Sequence, residues 1–136
     1  MKTIAVMGCG LSLALALGAC ASTPGNVAPP PAGFDVAATE FTGWVKIRGE
    51  EFQLYADEMT MRAGGASPCV SGALPRNLQR ASGDIDGMKV RFTGRTRPWA
   101  ERGDSALFDL QGSDVTNLCR RDVVIQADRV EVLRGS

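Results

Sequence analysis

The chain has 136 residues, with 15 basic and 15 acidic side chains, four cysteines and no histidine. Balanced charge argues against simple electrostatic capture of a polyanion or an anionic membrane. Lacking histidine, the chain has no Ser-His or Cys-His nucleophile pair, no imidazole acid or base and no metalloprotease helix.

The first residues, Met1 and Lys2, form a short positive end, and residues 4–19 follow without a charged side chain. That is a signal-peptide pattern, shorter than the roughly 20 apolar residues of a membrane-spanning helix and ending in small residues. Leu17-Gly18-Ala19-Cys20 resembles a lipobox, the lipoprotein signal in which the cysteine thiol receives a diacylglycerol. The resemblance implies a signal peptide over residues 1–19, acylation of Cys20 and attachment to a lipid bilayer through its acyl chains. Because Ala21 rather than aspartate follows Cys20, it further implies the periplasmic face of the outer membrane in a Gram-negative cell. In a Gram-positive cell it implies the outer face of the plasma membrane. An ordinary signal peptide cut near Ala19 or Ala21, with Cys20 left as a stray thiol, is the alternative.

Residues 20–33 are small, proline-rich and uncharged (CASTPGNVAPPPAG). They read as a disordered tether, because they bury too little apolar surface to offset chain entropy. At about 3.1 Å per residue its extended form reaches roughly 40 Å. Residues 34–136 are then one compact domain, too short for two cores.

Residues 41–48 (FTGWVKIR) alternate, with Phe41, Gly43, Val45 and Ile47 inward and Thr42, Trp44, Lys46 and Arg48 outward, as in a half-buried strand. Gly49-Glu50 supplies a turn, and residues 52–57 alternate again with Tyr55 outward, so a hairpin is predicted. Residues 58–82 carry no clean period and read as an irregular excursion with one helical turn near residues 77–80. Asp86-Gly87 is a turn signal, and the "DGMKVRFTGRT" strand that follows points Val90, Phe92 and Gly94 inward and Arg91, Thr93, Arg95 and Arg97 outward. Residues 106–110 are predicted as a fourth strand and residues 123–133 as a fifth. The apolar parity of the fifth changes between Ala127 and Val130, which a β-bulge would accommodate. Helical possibilities are confined to the neighbourhood of Leu78 and to residues 114–120.

Cys69 and Cys119 remain after Cys9 leaves with the signal peptide and Cys20 takes its lipid. In an oxidising compartment they are expected to form a disulfide. Two buried thiols or half of a metal site are poorer readings, since there is neither a histidine nor a CxxC pair.

A mainly β chain with a hairpin first, "DGMKVRFTGRT" in the middle and "VVIQADRVEVL" last resembles a five-stranded oligonucleotide/oligosaccharide-binding (OB) barrel with short helical turns. In such a barrel Gly94 would sit where a strand bends to join both sheets. The segments Cys-Val-Ser-Gly and Asn-Leu-Cys also resemble those of small uncharacterised envelope lipoproteins.

The OB resemblance implies a ligand face on the outside of the first three strands, carrying Trp44, Lys46, Tyr55, Arg91, Arg95 and Arg97, with Trp99 at its edge. Aromatic rings interleaved with guanidinium groups stack on planar or sugar groups and hold anionic ones. The competing reading is a solvated strand face whose arginines pair with Glu50, Glu51 and Asp57. No cofactor, metal or nucleic acid is expected, and no enzymatic motif is present. Ser71 would need a nearby lysine or carboxylate to act as a nucleophile, and Asp84-Ile-Asp86-Gly87 lacks the distal ligands of a calcium loop. The expected role is a non-enzymatic envelope binding module for a glycan, a small anionic ligand or an envelope protein. The alternative is a structural or assembly partner acting through residues 58–82.

Overall fold

A computed structural model describes residues 27–64, 68–81 and 84–134. The signal peptide and acylation site expected at residues 1–19 and Cys20 lie outside the described residues. In chain order the elements are β1 (Glu40–Arg48), β2 (Glu51–Tyr55), α1 (Glu58–Ala63), β3 (Cys69–Ala73), α2 (Arg76–Ala81), β4 (Lys89–Pro98), a 3-10 turn (Trp99–Arg102), β5 (Phe108–Leu110), β6 (Ser113–Val115) and β7 (Val123–Val132). Five of the strands close into a barrel in the order β1-β2-β3-β7-β4, while β5 and β6 form a separate two-stranded ribbon. All barrel pairs are antiparallel except β3 with β7, which run parallel. The fold is mainly β, and its closed five-stranded barrel is consistent with an OB-like fold.

The predicted hairpin forms in register, with Val45 opposite Leu54 and Ile47 opposite Phe52. Its inward residues join Val70, Val90, Phe92 and Ile125 in the barrel core, where the Phe52 and Phe92 rings stack with centroids 4.0 Å apart. The predicted turn also forms: the Asp86 carboxylate accepts from Ile47 N at 2.8 Å, and Gly87 N donates to Val45 O. Opposite Gly94 the ladder shifts, with Thr93 paired to Arg129 and Gly94 to Ala127. Asp128 is therefore the extra residue, and the parity change in the last strand is a β-bulge. A Cβ on Gly94 would lie 2.1 Å from Gln126 O and 2.8 Å from Ala127 Cα. Glycine is required there for the close approach of two backbones.

Several expectations are corrected. The third barrel strand is Cys69–Ala73, inside the segment read as an irregular excursion, and the predicted strand at residues 106–110 belongs instead to the outer ribbon. Every residue of β3 is buried, since the core lies on one side and the ribbon and the disulfide cover the other. Periodicity is lost when both faces are covered. The helical turn expected near Leu78 is α2, but the unpredicted α1 precedes β3, with Asp57 Oδ1 accepting from Thr60 N at its start. Residues 114–120 are not helical, because β6 occupies their beginning and Asn117 and Arg120 adopt positive φ.

Residues 27–33, assigned to a free tether from their composition, are attached to the barrel. Ala28 bridges Arg121 in parallel, with Ala28 N donating to Arg120 O and Asp122 N to Ala28 O. Arg121 Nη1 donates to Pro29 O. Further on, Phe34 stacks on Phe41 and Thr96 Oγ1 donates to Val36 O. Backbone pairing supplies what the side chains lack, and residues 27–39 lie as a strap on the barrel.

Candidate functional site

Two apolar clusters outside the barrel decide which of its faces are open. In one, the ribbon's Phe108, Leu110 and Val115 pack with Trp99 against Ala73 and Val124. In the other, Met61 of α1 and the Cys69–Cys119 disulfide cover Tyr55, with Trp44 at the margin. The cysteines are joined as expected, with their Cα atoms 5.5 Å apart.

Between these clusters, residues 116–121 lie across the outer side of β2 and β3. The Glu51 carboxylate, 2% exposed, holds this loop by accepting from Thr116 N, Thr116 Oγ1, Asn117 N and Leu118 N at 2.6 to 3.2 Å. Farther along, Cys119 N donates to Ser71 Oγ at 3.0 Å and Arg121 Nε donates to Cys69 O at 3.0 Å. The side chain of Ser71 is thus fully buried and engaged as an acceptor. The surface on which the OB resemblance placed a ligand is therefore covered over β2 and β3 by the chain's own loop.

This arrangement divides the predicted site residues. Tyr55 alternates outward from the barrel as read, but it is 1% exposed beneath the second cluster, so its ring is not part of an open face. Burial raises the Tyr55 phenol above its ordinary pKa, opposed in part by the positive charge of Arg48. Trp44 is half-buried between Tyr55 on β2 and Lys89 on β4. Lys46 points toward the end of α1, its Nζ near Gly64, and shares a shallow depression with Met61, Arg62 and Asp86. Trp99, expected at the edge of the face, is instead buried in the ribbon cluster with the Arg102 guanidinium 4.1 Å above its ring.

The arginines of β4 do share one face. Lys89, Arg91, Thr93, Arg95 and Arg97 alternate outward along the strand, next to Trp44 and Thr42 of β1. Arg91 Nη2 binds Glu131 Oε1 at 2.7 Å, and this carboxylate raises the guanidinium pKa further. Arg97 Nε binds Glu101 at 2.7 Å, its Nη1 donates to Gln126 Oε1 at 2.6 Å, and its guanidinium lies 5.1 Å from the Phe108 ring centroid. Arg95 and Lys89, together with Arg129 of the neighbouring β7, have no ion pair or side-chain hydrogen bond among the described residues. Lys89 and Arg129 were absent from the sequence-derived site, although the alternation of β4 already placed Lys89 on the same face.

The carboxylates expected to neutralise the arginines are used elsewhere. Glu50 accepts from Asp114 N, Glu51 holds the loop and Asp57 caps α1. Among the described residues no group of three or more His, Cys, Asp or Glu side chains is arranged to hold a metal ion. No helix among them is long and apolar enough to cross a membrane. No family model, curated protein or solved structure matches the chain.

Proposed function

We propose that this protein is a lipid-anchored envelope protein whose barrel is a non-enzymatic binding module for an anionic glycan or small anion. The bilayer contact is the acylated Cys20, and the ligand surface is the outer face of β4 with Trp44 beside it. The observation that carries this reading is the alternation of Lys89, Arg91, Arg95 and Arg97 on one strand face, where Arg95 and Lys89 have no ion pair or side-chain hydrogen bond among the described residues. Unpaired guanidinium and ammonium groups hold carboxylate or phosphate oxygens, and the exposed edge of an indole stacks on a sugar ring.

The test is an NMR titration of the intact purified protein with soluble peptidoglycan fragments and, separately, with inorganic phosphate. Shifts confined to β4 and Trp44, lost in a Trp44→Ala, Arg95→Ala double variant, support the reading. Absence of shifts with both probes, or equal binding by the variant, overturns it. The anchor is tested apart from the ligand, by metabolic labelling with palmitate. Label should enter the wild type and not a Cys20→Ser variant, and equal labelling of the two removes the anchor from the proposal.

A further inference from the structure

A cavity lies between the strap and the barrel, bordered at one side by Thr42, the β1 residue that pairs with Arg91 of β4. It measures about 530 Å³ and runs between Pro31, Ala32 and Phe34 of the strap and Leu54, Ala56 and Val70 of the barrel. Apart from Tyr55, whose ring is buried beneath Met61 and the disulfide, none of its lining residues is ionisable. A smaller cavity of about 210 Å³ shares Gly33, Phe34, Thr42 and Leu54 with it and extends to Asp35 and Glu40. Together they form one groove with an apolar body and two carboxylates at one end.

The groove has stable walls. The Phe34 ring is stacked on Phe41, the strap is fixed upstream by Ala28 and downstream by the hydrogen bond from Gly94 N to Thr39 O, and the floor is barrel core. The combined volume falls in the range of about 300–1,000 Å³ usual for small-molecule sites, and barrel mouths are a recurrent location for them. Of the two acids, Glu40 is close enough to Arg91 to feel its charge. Asp35 uses one oxygen to accept from Ala37 N and has no cationic partner among the described residues.

We propose that this groove binds an amine-bearing lipid, with an alkyl chain between the strap and Leu54 and Val70 and the cationic headgroup at Asp35 and Glu40. Burial of the chain supplies the affinity, since each methylene removed from water contributes about 0.8 kcal/mol. The carboxylate end supplies the choice of headgroup, because an anion placed there meets like charge. The groove adjoins the β4 face at Thr42, opposite Arg91, but requires neither a ligand on that face nor acylation of Cys20.

Photo-crosslinking tests the proposal. The intact protein is incubated with phosphatidylcholine vesicles containing a trace of long-chain alkylamine with a diazirine in its chain, or the alkyl carboxylate of equal length. The amine should label residues 31–34 and 54–56, and should do so up to about fivefold more than the carboxylate, the upper end for the solvent-exposed ion pairs that Asp35 and Glu40 would make. Asp35→Asn with Glu40→Gln should remove that preference while keeping the labelling. Ala56→Trp, which fills the exposed mouth of the groove, should abolish labelling by both probes. Equal labelling of the wild type by amine and carboxylate, labelling elsewhere, or labelling indifferent to Ala56→Trp overturns the proposal.

Discussion

The Glu51 carboxylate accepts the backbone N–H of Leu118 at 2.6 Å, joining residues 67 apart in sequence. Its other oxygen accepts from Thr116 N, Thr116 Oγ1 and Asn117 N. One buried carboxylate therefore closes the loop that covers β2 and β3. Truncation would leave these donors without an acceptor at a site that water reaches poorly. Unsatisfied buried groups cost about 1–3 kcal/mol each, so Glu51→Ala should destabilise the domain by about 3 kcal/mol. Glu51→Gln keeps one acceptor oxygen and should lose less. Urea denaturation monitored by tryptophan fluorescence checks the order; equal stability of both variants and wild type would contradict the role assigned to Glu51.

The disulfide acts at the other end of that loop. It links residues separated by 50 positions, and the chain-entropy relation gives about 4 kcal/mol for a closure of this length. A Cys69→Ser, Cys119→Ser double variant should fall in stability by about that amount. Hydrogen exchange in residues 116–121 should rise before exchange in β1 and β4, because only the loop depends directly on the crosslink. A uniform rise across the barrel would show instead that the staple supports the whole domain.

At Gly94 the constraint is steric. An added methyl would meet Gln126 O at 2.1 Å, and all three of its nearest atoms are backbone rather than the end of a flexible side chain. Relief requires separating β4 from β7 at the bulge, which disturbs the longest strand pairing of the barrel. Gly94→Ala should cost about 3 kcal/mol, at the upper end of overpacking effects. Gly49→Ala tests a different constraint: nothing lies within 4 Å of its Cβ position, but its φ of +64° disfavours a side chain. That substitution should cost only about 1 kcal/mol. Thermal unfolding of the two variants separates close packing from backbone strain.

These elements also explain what was legible in the sequence. The β1–β2 hairpin, β4 with its glycine and the bulge in β7 were readable because each retains alternation or a parity break. Cys69–Ala73 contains small residues buried on both sides and therefore gave no alternation to read. Residues 106–110 were apolar enough for a strand but pack on the outside of the barrel, a distinction that local pattern does not carry. Tyr55 has the same lesson for the site: its parity correctly directed it away from the barrel interior, but only the long-range Cys69–Cys119 link and residues 116–121 determine that this outer face is covered. The outward run of β4 cations was legible, whereas their division into paired and unpaired members depends on Glu131, Glu101 and Gln126, placed by the fold.

Tyr55 is the only tyrosine in the chain, so its ionisation can be followed by ultraviolet absorbance without overlap from another phenol. Burial disfavours the phenolate and raises its pKa above the ordinary value of 10.0, with Arg48 opposing the shift. The native state therefore binds the proton more tightly than the unfolded state. Below the unfolded-state pKa both states are protonated and this difference leaves stability unchanged. As pH rises past that value the unfolded chain loses its proton first, and stability falls until the folded-state pKa is passed. The spectral midpoint should lie above that of the urea-unfolded protein, and Tyr55→Phe should flatten this part of the alkaline stability profile. Coincident midpoints in the folded and unfolded protein would contradict burial of the phenol beneath Met61 and the disulfide.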